Sequence, residues 1–363
     1  MALKNLQSKR IILFVAVGLA AFLLYLYYYV GTGNFLDVIK QADLYYYSSA
    51  FIAFIVGGVF SAVTWHSLME SLHIKNSIRR AVLLTFAGYF FDATLPEPGW
   101  SGDITKAYML SKKTDQDVGK IVASVVSQKV IGMAVTILLL VTGFGLLAVN
   151  ITLPLDVFIF FGVIMALSVG SFIVVYLMST RYKTTKSVLN KLLIPIASFF
   201  LRSRFDEAQF RADAENFLSM FHKGIDTLGT NKKALLKPIL LYVLSVSFDI
   251  SVVFFVFASL GYPIPVDKVL IVYALTGTLA SIGVSFVGLT EIITSTAYQV
   301  LSIPLAVSFS VTLLSRIVTL WFKLIIGYAT FQWAGVGLLM GKKQPHSQTG
   351  EIDGKTVPAV GKA

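Results

Sequence analysis

The sequence predicts an all-α protein that crosses a membrane many times. Of its 363 residues, 56% are hydrophobic and 13% are charged, whereas about a quarter of the residues of a soluble domain are charged. Several apolar runs reach the length of about 20 residues that a helix needs to cross a bilayer. The basic residues lie between these runs, so the net charge of +11 indicates membrane topology and not nucleic-acid binding.

The apolar runs predict about six full transmembrane helices, which with two shorter broken segments make about eight hydrophobic segments. The full spans are expected at residues 11–30, 48–72, 118–149, 154–178, 235–260 and 306–340. Basic residues before the first run place the N-terminus in the cytoplasm. The last span leads to Lys342 and Lys343, so we expect a cytoplasmic C-terminus too, which requires an even number of crossings. We expect one transmembrane domain over residues 1–341 and a disordered cytoplasmic tail at 342–363.

The first of the two broken segments lies at residues 81–106. It contains Pro96, Pro98, Gly99 and Gly102 together with acidic residues. Backbone that is broken in this way leaves polar groups that lipid cannot satisfy, so protein or water must surround it. We expect a re-entrant hairpin that enters from the cytoplasmic side, with an ordinary interfacial loop as the alternative.

The second broken segment lies at residues 267–303, around Gly283, Gly288 and Glu291. We expect a second re-entrant hairpin, which enters from the outer side. Two broken hairpins that enter from opposite faces resemble the inverted halves of secondary transporters, whose broken helices meet in the middle of the membrane. We find no repeat of individual residues that would prove such a symmetry.

Residues 180–235 form the largest polar region of the chain. Between residues 205 and 228, apolar side chains recur at three- and four-residue steps, from Phe210 to Leu228. This spacing is typical of an amphipathic helix. We interpret it as a structural cytoplasmic helix that caps the bundle or lies on the inner leaflet, and the alternative is a surface that binds a partner.

Ionisable residues within the apolar segments are the candidates for a binding site. A charge at membrane depth costs several kcal/mol unless it is paired or hydrated, and it usually marks a transport path or a ligand site. Arg316 and Glu291 are the pair that we most expect to belong to this site, since arginine can hold a phosphate through two hydrogen bonds. The other candidates for contact with a lipid headgroup are Lys323, Lys129, Asp103, Asp92, Gln128 and Asp249.

These candidates also have structural interpretations. Lys323 could extend its ammonium group to the membrane interface, Asp103 could cap a helix in water, and Asp249 could bond to a neighbouring helix. Arg316 and Glu291 could form a purely structural salt bridge. The glycines at the breaks would let the backbone bend and approach a ligand closely.

An enzyme that acts on lipid phosphates is the less favoured class. The four histidines, His66, His73, His222 and His346, lack the spacing of metal ligands. There is no Gly-x-Ser-x-Gly elbow and no phosphate-binding loop that ends in Gly-Lys-Ser/Thr. Asp115 and Asp117 lie in a short loop, where we expect them to stay solvated. We therefore expect no metal and no cofactor.

Three short motifs carry a resemblance to a known family. Residues 95–108 read LPEPGWSGDITKAY, a Gly-x-x-Glu turn ends at Glu291, and Ser315-Arg316 lies in the last span. With these motifs the sequence resembles, over roughly residues 10–340, the transmembrane module of lysylphosphatidylglycerol synthases, the multiple peptide resistance factor proteins. That module has many stand-alone prokaryotic relatives of uncharacterised function.

The sequence also departs from the pattern of that family. Residues 284–286 read Val-Ser-Phe where the family has Pro-Gly-Gly, Trp100 replaces an arginine, and Gln128 replaces a glutamate. Gln128 keeps the capacity for hydrogen bonds but loses the charge. The synthase activity of the family resides in a separate soluble aminoacyl-transferase domain, for which this chain has no stretch.

The resemblance implies a protein that binds an anionic, aminoacylated or polyprenyl-linked lipid and moves it between the leaflets of a prokaryotic plasma membrane. Its partner would be that phospholipid or polyprenyl lipid, with a second copy of the chain or a separate lipid-modifying enzyme as further partners. The alternative is a scaffold that recruits such an enzyme through residues 180–235. If the chain transports lipid, function should depend on Arg316 and not on the surface of residues 205–228. If the chain is a scaffold, function should depend on that surface and not on Arg316.

Overall fold

The fold is all-α throughout the described part of the chain. The computed structural model describes residues 37, 39–94, 100–114, 116–150, 155–195, 207–230, 232–281 and 288–340. No β-strand occurs within these ranges. The fold class that the composition and the apolar runs predict is therefore confirmed.

The helices are numbered here in chain order. They are α1 Leu44–Ser71, α2 Ile78–Thr94, α3 Ser101–Lys113, α4 Val118–Asn150, α5 Leu155–Thr180, α6 Tyr182–Val188, α7 Glu207–Thr230, α8 Lys232–Ser259, α9 Val266–Ser281, α10 Leu289–Val300, α11 Leu305–Arg316 and α12 Lys323–Met340. π-helical segments continue α6 as Leu189–Leu193 and join α11 to α12 as Ile317–Phe322.

Five helices in the described ranges are long and apolar enough to cross a membrane. They are Leu44–Ser71, Val118–Val149, Phe158–Thr180, Lys233–Ser259 and Leu305–Ala334, the last of which runs through α11, the π segment and part of α12. These helices coincide with all the predicted spans except the first, so the chain is a polytopic membrane protein. The first predicted span, residues 11–30, and the predicted tail, residues 342–363, lie outside the described residues.

Both predicted breaks are flanked by helices that touch each other. α2 and α3 flank residues 95–99, and α9 and α10 flank residues 282–287. α2 packs against α3, and α9 packs against α10, as a hairpin requires. The breaks themselves lie outside the described residues, with Pro96, Pro98, Gly99 and Gly283, and the re-entrant course of both hairpins stays a prediction.

The structure corrects the role predicted for Gly102. This residue lies in the first turn of α3 and not in a break. A Cβ atom on Gly102 would lie 2.5 Å from the carbonyl oxygen of Gly88 in α2 and 2.7 Å from the carboxylate carbon of Asp92. The missing side chain lets the backbones of α2 and α3 touch, so the glycine serves helix packing and does not serve as a bend.

Two large apolar cores lie at different levels of the helical bundle. Along α1, Phe54 belongs to one core and Trp65 to the other. Along α4, Leu140 belongs to the first core and Val125 to the second. Between these levels α1 carries Ser61, and α4 carries Gln128 and Lys129. Polar side chains of α1 and α4 thus lie between the two cores.

The predicted amphipathic segment forms α7. Phe221 and Leu228 of this helix are buried in the second core, whereas Lys223 is exposed. The helix packs against α4 and α6, and Glu215 pairs with Lys186 of α6 at 3.0 Å. α7 therefore covers the end of the bundle at which the second core lies.

Two of the four histidines are buried in helices. His66 is buried in α1, with Nε2 3.1 Å from the carbonyl oxygen of Asn76. His222 is buried in α7, with Nδ1 2.9 Å from the carbonyl oxygen of Leu218. Both rings are part of the packing near α7, because the helices around them close over that end of the bundle.

The loop between α3 and α4 has one described aspartate. Asp117 pairs with Lys120 at 3.3 Å, whereas Asp115 lies outside the described residues. Within the described ranges, no group of three or more histidine and acidic residues is placed to hold a metal ion.

Replacing Gly102 with alanine should destabilise the fold. The new Cβ atom would overlap the backbone of Gly88, and overpacking of this kind costs about 1–3 kcal/mol. We expect a lower melting temperature for Gly102→Ala when thermal unfolding is measured in detergent. Gly170→Ala in α5 is the matched control, because nothing lies within 4 Å of a Cβ atom there. An equal drop in both variants would contradict the packing role of Gly102.

Candidate functional site

Arg316 and Glu291 form the ion pair that the sequence suggested. Arg316 Nε donates a hydrogen bond to Glu291 Oε1 at 2.6 Å. The side chain of Glu291 is 5% exposed and that of Arg316 is 18% exposed. Both residues lie inside the bundle, with Arg316 near the middle of the helix Leu305–Ala334. The pair therefore connects α11 to the first turn of α10 at membrane depth.

Gly288 provides the turn that precedes α10. Its φ of +90° lies in the region that side chains avoid and glycine accepts. Its backbone N–H donates to Glu291 Oε2 at 2.7 Å, as the acidic residue of a capping box does. One carboxylate oxygen of Glu291 thus accepts from Arg316, and the other accepts from the N–H of Gly288. Gly288, which we predicted at a backbone break, lies in the turn just before α10.

A π-helical segment separates Arg316 from Lys323. In a regular α-helix these residues, two turns apart, would lie on nearly the same face. A π turn takes about one residue more than an α turn, which rotates all later side chains by roughly 100° around the axis. Lys323 Nζ lies 3.6 Å from Asp92 Oδ2 and 4.7 Å from the centre of the Tyr89 ring. Lys323 therefore extends toward Asp92 and Tyr89 of α2.

Asp92 joins the α2–α3 hairpin to the last helix. Its Oδ1 accepts hydrogen bonds from the backbone N–H of Gly102 at 2.7 Å and from the Ser101 hydroxyl at 3.2 Å. The N–H groups in the first turn of a helix have no partners within that helix, so they need such an acceptor. Through its other oxygen Asp92 faces Lys323. One carboxylate thus connects α2, α3 and α12.

A second charged cluster surrounds Asp103. Lys106 Nζ lies 2.7 Å from Asp103 Oδ1, and Lys129 Nζ lies 3.8 Å from Asp103 Oδ2. Lys106 also donates to Gln128 Oε1 at 2.9 Å. The amide nitrogen of Gln128 donates in turn to the carbonyl oxygen of Ser61 at 2.9 Å. These contacts link α3 to α4 and α4 to α1.

Our sequence reasoning did not include Lys106 among the site residues. This lysine is 5% exposed, and its ammonium group lies 5.0 Å from the centre of the Trp65 ring. It follows Asp103 by one helical turn, the spacing of an intrahelical ion pair, so the sequence did contain a signal for it. The same geometry excludes the N-cap alternative for Asp103, because Trp100 holds the N-cap position of α3.

Two cavities lie beside these charged side chains. The arginine cavity, of about 390 Å³, is lined by Arg316, Lys323, Asp249, Tyr273 and Ser315 together with threonines and apolar residues. The lysine cavity, of about 150 Å³, is lined by Lys106, Lys129, Asp92, Asp103, Gln128, Ser61, Thr85, Tyr242, Gly88 and Gly102. Tyr89 lines both cavities. The two cavities are therefore neighbours that share a wall.

The structure brings the predicted residues of both breaks together at these cavities. Asp92, Asp103, Gln128 and Lys129 line the lysine cavity, Asp249, Arg316 and Lys323 line the arginine cavity, and Glu291 lies behind Arg316. Lys323 connects the two groups, since it lines the arginine cavity and pairs with Asp92. We missed Tyr89 because an aromatic residue in an apolar helix carries no distinctive signal in the sequence.

Asp249 faces the arginine cavity from α8. It shares the cavity wall with Tyr273 and Lys323. α1 passes close to it at Gly57, where a Cβ atom would lie 2.8 Å from Asp249 Oδ1. The absence of a side chain at Gly57 therefore makes room for this carboxylate between the two helices.

The arginine cavity contains hydrogen-bond donors that have no partner among the described residues. The Ser315 hydroxyl is buried and makes no hydrogen bond within this part of the chain. The guanidinium group of Arg316 uses its Nε atom toward Glu291, which leaves the two Nη atoms for another acceptor. Because buried polar groups in proteins normally have partners, this arrangement suits a ligand that has several acceptor oxygens.

Comparisons with known proteins place the chain among membrane proteins. A family model described as the lysylphosphatidylglycerol synthase TM region matches residues 11–327. UPF0104 membrane protein PH1989 of Pyrococcus horikoshii is 22% identical over 329 residues, which are 88% of this chain and 96% of that relative. UPF0104 membrane protein MJ1595 of Methanocaldococcus jannaschii is 25% identical over 315 residues, which are 85% of this chain and 90% of that relative. No solved structure matches significantly.

Breaking the buried pair should cost more stability than breaking a pair on the surface. Arg316→Ala leaves the Glu291 carboxylate buried without its cation, and such a loss costs about 3–5 kcal/mol. Arg211→Ala breaks an exposed pair with Glu207 at 2.9 Å, which solvent already screens, and a hydrogen bond to Asn190 at 3.0 Å, which is worth about 1 kcal/mol. We expect a much larger loss of unfolding free energy for Arg316→Ala, measured by denaturant titration in detergent.

A double-mutant cycle separates the pair from other effects of the substitutions. Glu291→Ala alone should cost at least as much as Arg316→Ala, because it also removes the acceptor of the Gly288 N–H, and the double variant should cost clearly less than the sum of the two. Purely additive losses would mean that the two side chains do not stabilise each other.

Proposed function

Because the chain belongs to the lysylphosphatidylglycerol synthase TM region family, we propose that it binds an anionic lipid by the headgroup and moves it between the leaflets. The lipid is a phospholipid, with or without an aminoacyl group, or a polyprenyl-linked lipid. In this proposal the chain acts as a transporter without a cofactor and not as an enzyme. It resides in the plasma membrane with both termini in the cytoplasm, as the distribution of basic residues suggests.

The observation that carries this proposal is the arginine cavity. Arg316 and Lys323 place two cations beside a cavity of about 390 Å³, within a helix of membrane-spanning length. Ionisable groups at such a depth usually belong to a transport path or to a ligand site. A purely structural salt bridge needs no cavity beside it and no spare donors, and this pair has both.

A phosphate group matches the chemistry of the arginine cavity. The Nη atoms of Arg316 can donate two hydrogen bonds to phosphate oxygens while Glu291 holds Nε. The Ser315 hydroxyl supplies another donor, and Lys323 adds a second positive charge. When the phosphate leaves, Glu291 and Asp92 neutralise the two cations, which avoids the cost of an unpaired charge inside the membrane.

The same ion pairs suggest how binding is linked to movement. Arg316–Glu291 connects the last helix to α10, and Lys323–Asp92 connects it to the α2–α3 hairpin. A phosphate on the Nη atoms of Arg316 and on Lys323 competes electrostatically with Glu291 and Asp92, so both ion pairs that hold the two hairpins weaken even while Glu291 stays on Nε. In our proposal this competition loosens the site and lets the headgroup pass.

Purified protein in liposomes should exchange an anionic lipid between leaflets. We would label the lipid on an acyl chain and add a membrane-impermeant quencher outside, so that exchange exposes the inner label. Arg316→Ala should slow exchange about tenfold or more, because it removes charge-assisted hydrogen bonds of about 1.5–3 kcal/mol. Glu291→Gln should slow exchange less, since the amide oxygen can still accept from Arg316.

Arg211→Ala on α7 is the matched control, because it removes an arginine from the surface that a scaffold would use. Its exchange rate should equal that of the wild type. All variants are first checked for folding by size-exclusion chromatography and thermal unfolding. If the wild type leaves the inner label protected with several anionic headgroups and under an imposed ion gradient, the transport proposal fails. The scaffold through residues 180–235 is then the function to test.

A further inference from the structure

We propose that Asp249 binds a proton when an anion enters the arginine cavity, so that the chain moves its lipid together with a proton. This inference rests on the proposed function, in which the arginine cavity holds a phosphate. It adds a second ligand, a single proton, and with it a source of energy for the movement. The proton site is one carboxylate inside the membrane-spanning helix Lys233–Ser259.

The charges at the two cavities balance when no ligand is bound. Among the described residues, four cations and four carboxylates line the cavities or lie directly behind them, namely Arg316, Lys323, Lys106 and Lys129 with Glu291, Asp92, Asp103 and Asp249. A phosphate diester adds one negative charge to this balanced set. An excess charge at membrane depth is costly, and the uptake of one proton removes it.

Asp249 differs from the other three carboxylates in its lack of an ion pair. The other three form the pairs Glu291–Arg316, Asp92–Lys323 and Asp103–Lys106. Asp249 has no ion-pair partner in the described part of the chain, although it shares its cavity with Lys323. An ion pair stabilises the charged form of a carboxylate. A proton that enters the site is therefore expected on Asp249.

The surroundings of Asp249 suit both of its protonation states. The hydroxyl of Tyr273 in α9 faces the carboxylate, and a hydroxyl can donate to a charged carboxylate or accept from a protonated one. The positive charge of Lys323 also acts on Asp249 while the cavity is empty. A phosphate that binds Lys323 offsets this charge, so Asp249 loses its electrostatic support when the anion arrives.

The described titratable groups around Asp249 hold their protons near neutral pH. They are the hydroxyls of Tyr89, Tyr273 and Tyr298 in the cavity wall, the hydroxyl of Tyr242 two turns earlier on α8, and the cations Arg316 and Lys323. α1 contributes Phe54 and Gly57, which do not titrate, and Lys129 of α4 lies in the neighbouring lysine cavity. Tyrosine titrates at about pH 10 in water, and ion pairs keep both cations charged.

A metal cation suits this cavity less well than a proton does. Arg316 and Lys323 line the same cavity and repel a metal cation, and Asp249 is the single carboxylate in the described part of its wall. Hard cations such as Ca²⁺ take about six or more oxygen ligands. A proton needs only one carboxylate oxygen.

The two ligands favour each other for an electrostatic reason. Coupling between two sites is reciprocal, so a proton on Asp249 raises the affinity for the anion as much as the anion raises the affinity for the proton. Together, a phosphate diester and a proton carry no net charge, and they cross the membrane without moving charge through its potential. A difference in pH then drives the lipid toward the alkaline side.

Proton uptake on binding is measured with the purified protein in detergent. Dimethyl phosphate is the probe, because a phosphate diester keeps its single negative charge throughout the neutral range. A pH indicator in weakly buffered solution at about pH 7 should report about one proton taken up for each anion that binds to the wild type. Asp249→Asn, which mimics the protonated state, should bind the anion with no uptake. Binding itself is followed by the rise in melting temperature.

Asp267→Asn is the matched control. This aspartate is also buried, with 8% exposure, but it lies in the first turn of α9 and lines neither cavity. It should keep the proton uptake of the wild type. Anion binding to the wild type without proton uptake, or equal uptake by Asp249→Asn, would overturn the proton site and leave the phosphate site standing. If dimethyl phosphate does not bind to the wild type, the phosphate site fails and the proton site with it.

Coupled movement is measured in liposomes with the anionic lipid labelled on an acyl chain and the quencher outside. The membrane potential is held at zero with valinomycin in equal potassium concentrations. An alkaline interior should then draw the lipid into the inner leaflet, by about tenfold per unit of pH difference at equilibrium, and Asp249→Asn should abolish this accumulation. Fast exchange by the wild type without accumulation would overturn the coupling. If no lipid exchanges although binding takes up a proton, the proposed transport fails and the proton site stands.

Discussion

The cost of charge inside a membrane is the constraint on which this structure depends. A charged side chain at that depth needs a partner or water, and Arg316 and Lys323 have Glu291 and Asp92 as partners. Each pair joins the last helix to a different hairpin, so the same electrostatic requirement also positions the hairpins. Apolar contacts alone specify such positions poorly, because lipid chains are as apolar as the helix surfaces.

Backbone features make the space in which these charges meet. The π segment after Arg316 rotates Lys323 toward Asp92, and the glycines 88 and 102 let α2 and α3 approach closely enough for Asp92 to cap α3. Side chains at those glycines would separate the two helices. The cavities therefore depend on how closely the surrounding helices pack, and both have charged side chains in their walls.

Much of the site could be predicted because ionisable residues are rare in apolar segments. Asp92, Asp249 and Arg316 stand out in any reading of the chain, and all three line a cavity. Tyr89 and Tyr273 did not stand out, because aromatic residues are ordinary in membrane helices. Their importance comes from the cavity that they face, and a cavity is a property of several helices together.

The sequence by itself determined the class of the protein, the described spans and the ionisable residues inside them. These are local properties, which depend on the length of an apolar run and on the residues that it contains. Only the tertiary structure decided that Lys323 pairs with Asp92 and that Asp103 lies close to both Lys106 and Lys129. It also decided that Gly102, where we expected a bend, is a site of close helix packing. The physical reason is that pairing depends on which helices are neighbours and how each is rotated, and contacts distant in the chain decide both.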